Sequence, residues 1–342
     1  MSERLTNILG YLTLFAILGA IWVMFGEDPT LKQGARGEAT FEGLAERINE
    51  AHKVMVASPD GTVTLTRDGE SWFVDQRNGY AADTNKVVAL LRGVALSKRR
   101  EPKTDNKARY ARLGLGDKAL KIELQDDTGG RLLAFDMGRR KDSPDGRSLT
   151  YISQASDTRS WLVAGLAETE ANAGWWLKRP LLNVNQGRVS DVIINGTWLT
   201  RKQGDQNFIM QGLRGEEKAA SYWVLADPAR VIAGLTFTDV KALSNPLAEA
   251  VSTIELSTHD GLALSVKIYA MEGGHWAQVD ASFDQDAQDS GPAGELADAP
   301  ADGAAEAEAI TNATRGWVFK LSDGDTQILT RNRDAFLEAP AE

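Results

Sequence analysis

The stretch Ala82–Leu91, ADTNKVVALL, sets a small residue and an Asp ahead of apolar residues at helical spacing. The same arrangement returns at Ala226–Leu235, ADPARVIAGL. Ala82 and Ala226, Asp83 and Asp227, Val87 and Val231, Ala89 and Ala233, and Leu91 and Leu235 are identical pairs. Each copy predicts a helix capped by its Asp, with Pro228 in the first turn of the second, where a missing N–H costs little. Before the first helix, Leu44, Ile48 and Ala51 predict a short helix that feeds a strand near Lys53–Ala57. Thr62–Thr66 and Ser71–Val74 then alternate apolar and polar residues about Asp68-Gly69, a strong hairpin signal. After the helix, Ala119–Gln125, Arg131–Met137 and Leu149–Gln154 read as strands, and Arg159–Val163 extends them.

The second copy repeats that order. Val189–Ile194, Trp198–Thr200 and Gln206–Met210 read as strands before its helix; Thr253–Ser257, Leu262–Ala270, His275–Ala281, Trp317–Leu321 and Thr326–Thr330 follow it. IELQDDTGG at Ile122 is mirrored by IELSTHDG at Ile254. The helix copies lie about a dozen residues further apart than these strand copies, so the first copy carries an insertion between helix and strand. It falls in SKRREPKTDNKARYARLG and holds Lys98, Arg99, Arg100, Lys103, Lys107, Arg109 and Arg112. The second copy has its own insertion, Asp284–Glu308, with eight acidic residues and no Lys or Arg. Too little apolar surface is available there to offset the ordering entropy, so disorder is expected.

This pattern predicts an α+β protein in which an N-terminal transmembrane helix precedes two related domains. Each domain is a mainly antiparallel sheet with one main packed helix. The expected boundaries are an anchor at 1–27, a linker at 28–39, a first repeat at 40–165, a packed connector at 166–187 and a second repeat at 188–338. The connector should hold a helix and a turn at Arg179-Pro180, since Trp175, Trp176, Leu177, Leu181 and Leu182 are too apolar for a solvated linker.

Leu5–Phe25 runs for 21 residues without a charge, long enough to span a bilayer. Trp22 and Phe25 lie near one end as interfacial aromatics do, Arg4 precedes the span, and Glu27 and Asp28 follow it. No small-x-small cleavage site follows, so an uncleaved single-pass anchor is expected, N-terminus inside, with the bulk of the chain in the periplasm. At 342 residues, 42% apolar and 25% charged, the chain is globular in composition. Its net charge of −10 argues against nucleic acid as a partner. The absence of cysteine excludes disulfides, thiol nucleophiles and thiolate metal sites.

Motifs that carry chemistry are largely missing from the chain. His52, His259 and His275 have no second His at metal-binding spacing, and there is no GxSxG, GxxxxGK[ST] or GxGxxG segment. Gly114-Leu115-Gly116 precedes a strand and reads as a turn. The pairs Asp126-Asp127 and Glu216-Glu217 sit in polar turns, and Asp284-x-Asp286 lacks an EF-hand's spacing. Catalytic residues, metals and cofactors are therefore not expected. Trp72, Trp198, Trp223, Trp276 and Trp317 fall in strand-like stretches, where they should pack in cores or across strands. Trp175-Trp176 is the candidate exposed recognition site, because two neighbours in an extended stretch cannot both face one core. The basic cluster Lys98–Arg112 is the candidate docking surface for lipid headgroups or an acidic partner, or for the chain's own acidic tract.

FEGLAERIN before a strand, then Trp72-Phe73-Val74, YAADTNKVVALL, YARLGL (Tyr110–Leu115), IELQDDTGG, FDMG (Phe135–Gly138) and TYIS (Thr150–Ser153) resemble the family known as domain of unknown function 4340. The resemblance covers Phe41 to Val163 well and the second half more loosely, where YARLGL has no counterpart. It implies a bacterial inner-membrane protein encoded beside a transporter of the gliding-motility ABC type. The partners so implied are an ABC permease and an extracytoplasmic companion. It carries no catalytic residues. The function expected is a non-catalytic, membrane-anchored periplasmic accessory or scaffold subunit of an ABC-type transport or envelope assembly. The alternatives are a cell-wall or glycan-active enzyme, or a ligand-binding protein using an interdomain cleft.

Overall fold

The computed structural model describes residues 37–142, 148–243, 247–286 and 299–338. The expected anchor, 5–25, and the heart of the acidic tract, 287–298, lie outside them. Among the described residues no helix is long and apolar enough to cross a membrane.

In the first repeat, helix α1 (Leu44–Arg47) leads into β1 (Lys53–Ser58), β2 (Gly61–Asp68), β3 (Ser71–Val74) and β4 (Tyr80–Ala81). Helix α2 (Thr84–Leu96) follows, then β5 (Lys98–Pro102), β6 (Leu120–Gln125), β7 (Arg131–Asp142), β8 (Ser148–Ser153) and β9 (Trp161–Ala164). The sheet order is β4-β3-β2-β1-β6-β7-β8-β9-β5. The second repeat has β10 (Val189–Ile194), β11 (Thr197–Thr200), β12 (Ile209–Met210), helix α3 (Tyr222–Ala233), β13 (Asp239–Ala242), β14 (Ser252–Thr258), β15 (Leu262–Met271) and β16 (Gly274–Phe283). Helix α4 (Gly303–Thr314), β17 (Trp317–Lys320) and helix α5 (Asp323–Leu329) complete it. Its sheet order is β12-β11-β10-β14-β15-β16-β17-β13. Apart from β4 the two orders correspond strand for strand, with antiparallel pairing throughout. In each repeat the helix carries the chain from one edge of the sheet to the other. The next strand then returns to pair with the first, β6 with β1 and β14 with β10.

Local chemistry explains most elements. In β1, Val54 and Val56 are buried while their neighbours are partly exposed, the period of a sheet with one covered face. Asp68 pairs with Ser71 across the hairpin, whose Gly69 takes φ 58°. The Asp83 carboxylate accepts from the Asn85 and Lys86 amides, and α2 buries Val87, Leu90 and Val94 along one stripe. Gly93 on that stripe lets the helix approach the chain at Gly165, whose carbonyl oxygen would lie 2.8 Å from a Cβ.

The second copy departs from the expected helix start. α3 begins at Tyr222, so Asp227 and Pro228 lie inside it. A mid-helix proline leaves the carbonyl four residues back without its donor. Here Arg331 Nη1 donates to the Val224 carbonyl at 3.4 Å and to Asp227 Oδ2 at 3.1 Å. A side chain remote in sequence thus replaces the bond that Pro228 cannot make. Two further expectations are corrected. Thr326–Leu329 belongs to helix α5, with Thr330 as its C-cap, and not to a strand, because Ser322 caps the Asp325 amide. Residues 303–308 of the acidic tract are helical: Asp302 caps α4 at Ala305, and Ala307 is buried. Among the described residues the second repeat therefore has three α-helices, where one main helix was expected.

Aromatic side chains of the second repeat pack into the core of the first. Tyr80 of β4 meets Phe237, Trp317 and Phe319 edge-on, with centroids 5.8, 5.1 and 5.9 Å away. The connector binds both repeats. Asp83 N donates to the Trp176 carbonyl and Lys86 Nζ to that of Trp175, while Leu181 and Leu182 donate to Leu235. Arg179 Nη2 reaches the Gly174 and Thr238 carbonyls at 2.7 and 3.1 Å.

Candidate functional site

Strand β7 alternates Phe135 and Met137, buried in the first core, with Ala134, Asp136 and Gly138 on the opposite face. The first-repeat insertion crosses that opposite face as 3₁₀ turns at Lys107–Leu113 and Gly116–Lys118. Two glycines allow the crossing. A Cβ on Gly138 would lie 2.5 Å from the Leu113 carbonyl oxygen, and one on Gly114, at φ 72°, would lie 2.8 Å from the Arg139 nitrogen. YARLGL and FDMG therefore interlock, and Leu115 is buried between them.

The insertion and sheet enclose a groove of about 680 Å³ lined by Asp105, Lys107, Tyr110, Asp136, Gln154 and Asp157 among others. Asp136 stands between Lys121 of β6 and Ser153 of β8 in the strand register. Burial pushes the Asp136 carboxyl above its ordinary range, partly offset by the Lys121 charge. Burial likewise raises the Tyr110 phenol, reinforced by the charges of Asp157, Asp105 and Asp136. Asp157 is held firmly: its Oδ2 accepts from Trp161 Nε1 at 2.7 Å and its Oδ1 from the Arg159 amide at 3.0 Å.

The seven basic residues differ in exposure and in pairing. Arg99 lies over the Trp161 ring at 4.7 Å and 3.7 Å from Asp157. Lys103 pairs with Glu101. Arg100 is half-buried on β5, while Lys98, Lys107, Arg109 and Arg112 are exposed. A strand and a compact turn divide a run that reads as continuous in sequence.

The expected aromatic recognition pair is also corrected. Residues Ala173–Trp176 make a 3₁₀ turn, not an extended stretch. Both rings can therefore turn inward; they meet edge-to-face at 4.7 Å and 81°. Trp176 is 0% exposed, and its Nε1 donates to the Glu170 carbonyl. Trp72 and Trp276 are buried as cores require, but Trp198 is 48% and Trp223 61% exposed, the latter on a helix. On the outer face of the second sheet, Ile193 stands opposite Trp198, and the β11–β12 register sets exposed Ile209 diagonally beside that Trp. Asp191 accepts from Trp198 Nε1, and Glu255 continues the row beyond Ile193.

One carboxylate of each pair, Asp126 and Glu217, is held by hydrogen bonds. Asp126 accepts from Thr128 and Gly130 in its own turn, and the Thr128 hydroxyl foremost holds its carboxyl below the usual range. The Arg214 amide, then Arg333, does the same for Glu217. A general acid needs the opposite shift. Among the described residues no group of three His, Asp or Glu side chains is placed to hold a metal ion.

The family model described as domain of unknown function (DUF4340) matches residues 72–263, from β3 through the groove and connector to β15. No curated protein and no solved structure matches the chain.

Proposed function

The chain belongs to the domain of unknown function 4340 family, and from that premise we propose a non-catalytic, membrane-anchored accessory or scaffold subunit of an envelope transport assembly. The observation that carries this reading is the exposed row Ile193, Trp198 and Ile209 on the second sheet. Contiguous exposed aromatic and branched side chains mark protein-binding surfaces. Asp191 and Glu255 flank the row, and carboxylates are repelled by anionic lipid, which favours a protein as its occupant. The shared aromatic core joins the repeats, so a partner held by the second is fixed relative to the first. The uncharged segment Leu5–Phe25 supplies the proposed anchor.

The full-length chain, solubilised gently from membranes, should co-purify with an ABC permease. The double variant Trp198→Ser, Ile209→Ser should lose that permease while keeping its unfolding midpoint. Equal recovery with both forms, or recovery of the chain alone in detergents that preserve known complexes, overturns the reading.

A further inference from the structure

We propose that the C-terminal end of helix α2 docks on an anionic bilayer surface, with Leu96 entering the headgroup layer and Arg92 and Lys98 pairing with lipid phosphates. The inference rests on the anchor proposed for Leu5–Phe25 and gives the first repeat an orientation on that membrane. Eleven residues, 26–36, separate Phe25 from Gly37, an extended reach of at most about 40 Å. The chain then enters the fold along β5, the last strand of its sheet. The Gly37 amide donates to the Arg99 carbonyl, the Thr40 amide donates to that of Ser97, and Ala39 stands opposite Lys98. The end of α2 therefore lies beside the point where the anchor's tether arrives.

Val88, Arg92 and Leu96 follow one another at four-residue spacing on the face of α2 turned away from buried Val87, Leu90 and Val94. Leu96, at 64%, is the most exposed large hydrophobic side chain among the described residues. Arg92 and Lys98 are exposed and make no ion pair among those residues. Thr84–Arg100 carries five basic residues and no acidic one, within a chain of net charge −10. Exposed carboxylates of adjoining elements, Glu46 on α1 and Glu168 beyond Gly165, lie outside that stretch. An apolar side chain between long basic ones, whose stems bury while their charged heads stay wet, suits a headgroup layer. Of the seven basic residues from Lys98 to Arg112, Lys98 is the one placed to take part.

The chain has no cysteine, so a single spin label at Leu96→Cys, or in a second protein at Ile209→Cys, reports each surface in the full chain. The proteins are reconstituted in vesicles of phosphatidylcholine and phosphatidylglycerol. Electron paramagnetic resonance then reads accessibility to oxygen and to a water-soluble nickel chelate. The Leu96 label should be open to oxygen and shielded from nickel, and the Ile209 label the reverse. Adding Arg92→Gln and Lys98→Gln should lower the ratio of immersed to water-exposed Leu96 label about thirtyfold, roughly fivefold for each charge. A nickel-accessible Leu96 label overturns the proposal. So does unchanged immersion after both neutralisations, or equal immersion at Ile209. Flotation of the same vesicles in alkaline carbonate tests the anchor itself. Protein left behind removes the anchor and the docking with it, whereas protein that floats with Leu96 in water overturns the docking alone.

Discussion

Arg77, in the turn after β3, grips Asp239 at the start of β13 through both carboxylate oxygens, Nη2 lying 2.9 Å from Oδ2. The pair is partly buried and ties one repeat to the other beside the Tyr80 aromatic cluster. Planar guanidinium and carboxylate groups meet here in the fork geometry that gives such pairs direction as well as energy.

A double-mutant cycle with Arg77→Ala and Asp239→Asn should therefore show coupling. Each single change is expected to cost on the order of 1 kcal/mol in urea unfolding, and the double less than their sum. Additive losses would mean that the ion pair contributes nothing to holding the repeats together.

Trp176→Ala should cost about 3–5 kcal/mol, because a fully buried indole is replaced by a cavity at the root of α2. Trp198→Ala should stay within about 0.5 kcal/mol, as an exposed side chain away from any cap or core. Chemical denaturation of the two variants side by side reads the contrast directly.

Arg188 is 2% exposed and donates to both Asp260 and Glu306. Replacing it by Ala strands two carboxylates and should cost about 3–5 kcal/mol. Burial opposes ionisation of Asp260, but hydrogen bonds from Arg188 and Thr258 outweigh it and hold the carboxyl below its ordinary value. The native state thus refuses a proton that the unfolded chain accepts, so this stabilisation is present above roughly pH 4 and lost as pH falls. Asp260→Asn should be less stable at neutral pH and show a shallower acid loss of stability. An unchanged acid limb would refute the linkage.

Burial drives the Tyr80 phenol up to about 12. Between its ordinary value near 10 and that folded value, the unfolded chain loses a proton that the native state keeps, so stability falls as pH rises. The loss is on the order of 2–3 kcal/mol across that window. Tyr80→Phe should flatten it, measured as the unfolding midpoint from pH 9 to pH 12 relative to the wild type.

The amino-acid sequence by itself determined the elements whose causes are local. Asp83 caps amides two and three residues on, Asp68-Gly69 turns a hairpin, and β1 alternates along its own length; each is decided within a few residues. The recurrence of IEL at Ile122 and Ile254, on the corresponding strands β6 and β14, likewise announced the duplication that the two matching strand orders display, whereas Ala82–Leu91 and Ala226–Leu235 fall at different depths of their helices. Tertiary structure decided the places where a distant group changes the local balance. Arg331 permits a helix to run through Pro228, and Arg188 holds Glu306 on a tract whose composition favours disorder. The 3₁₀ turn that buries Trp176 and half-buries Trp175 is fixed by bonds to α2 and the second repeat. Asp136 was legible only as one letter of a strand motif. The insertion laid across β7 brings Tyr110 and Asp105 to it from a different part of the chain. Spacing along a sequence records which residues share a face; which remote side chain meets that face depends on how the sheet closes and what crosses it.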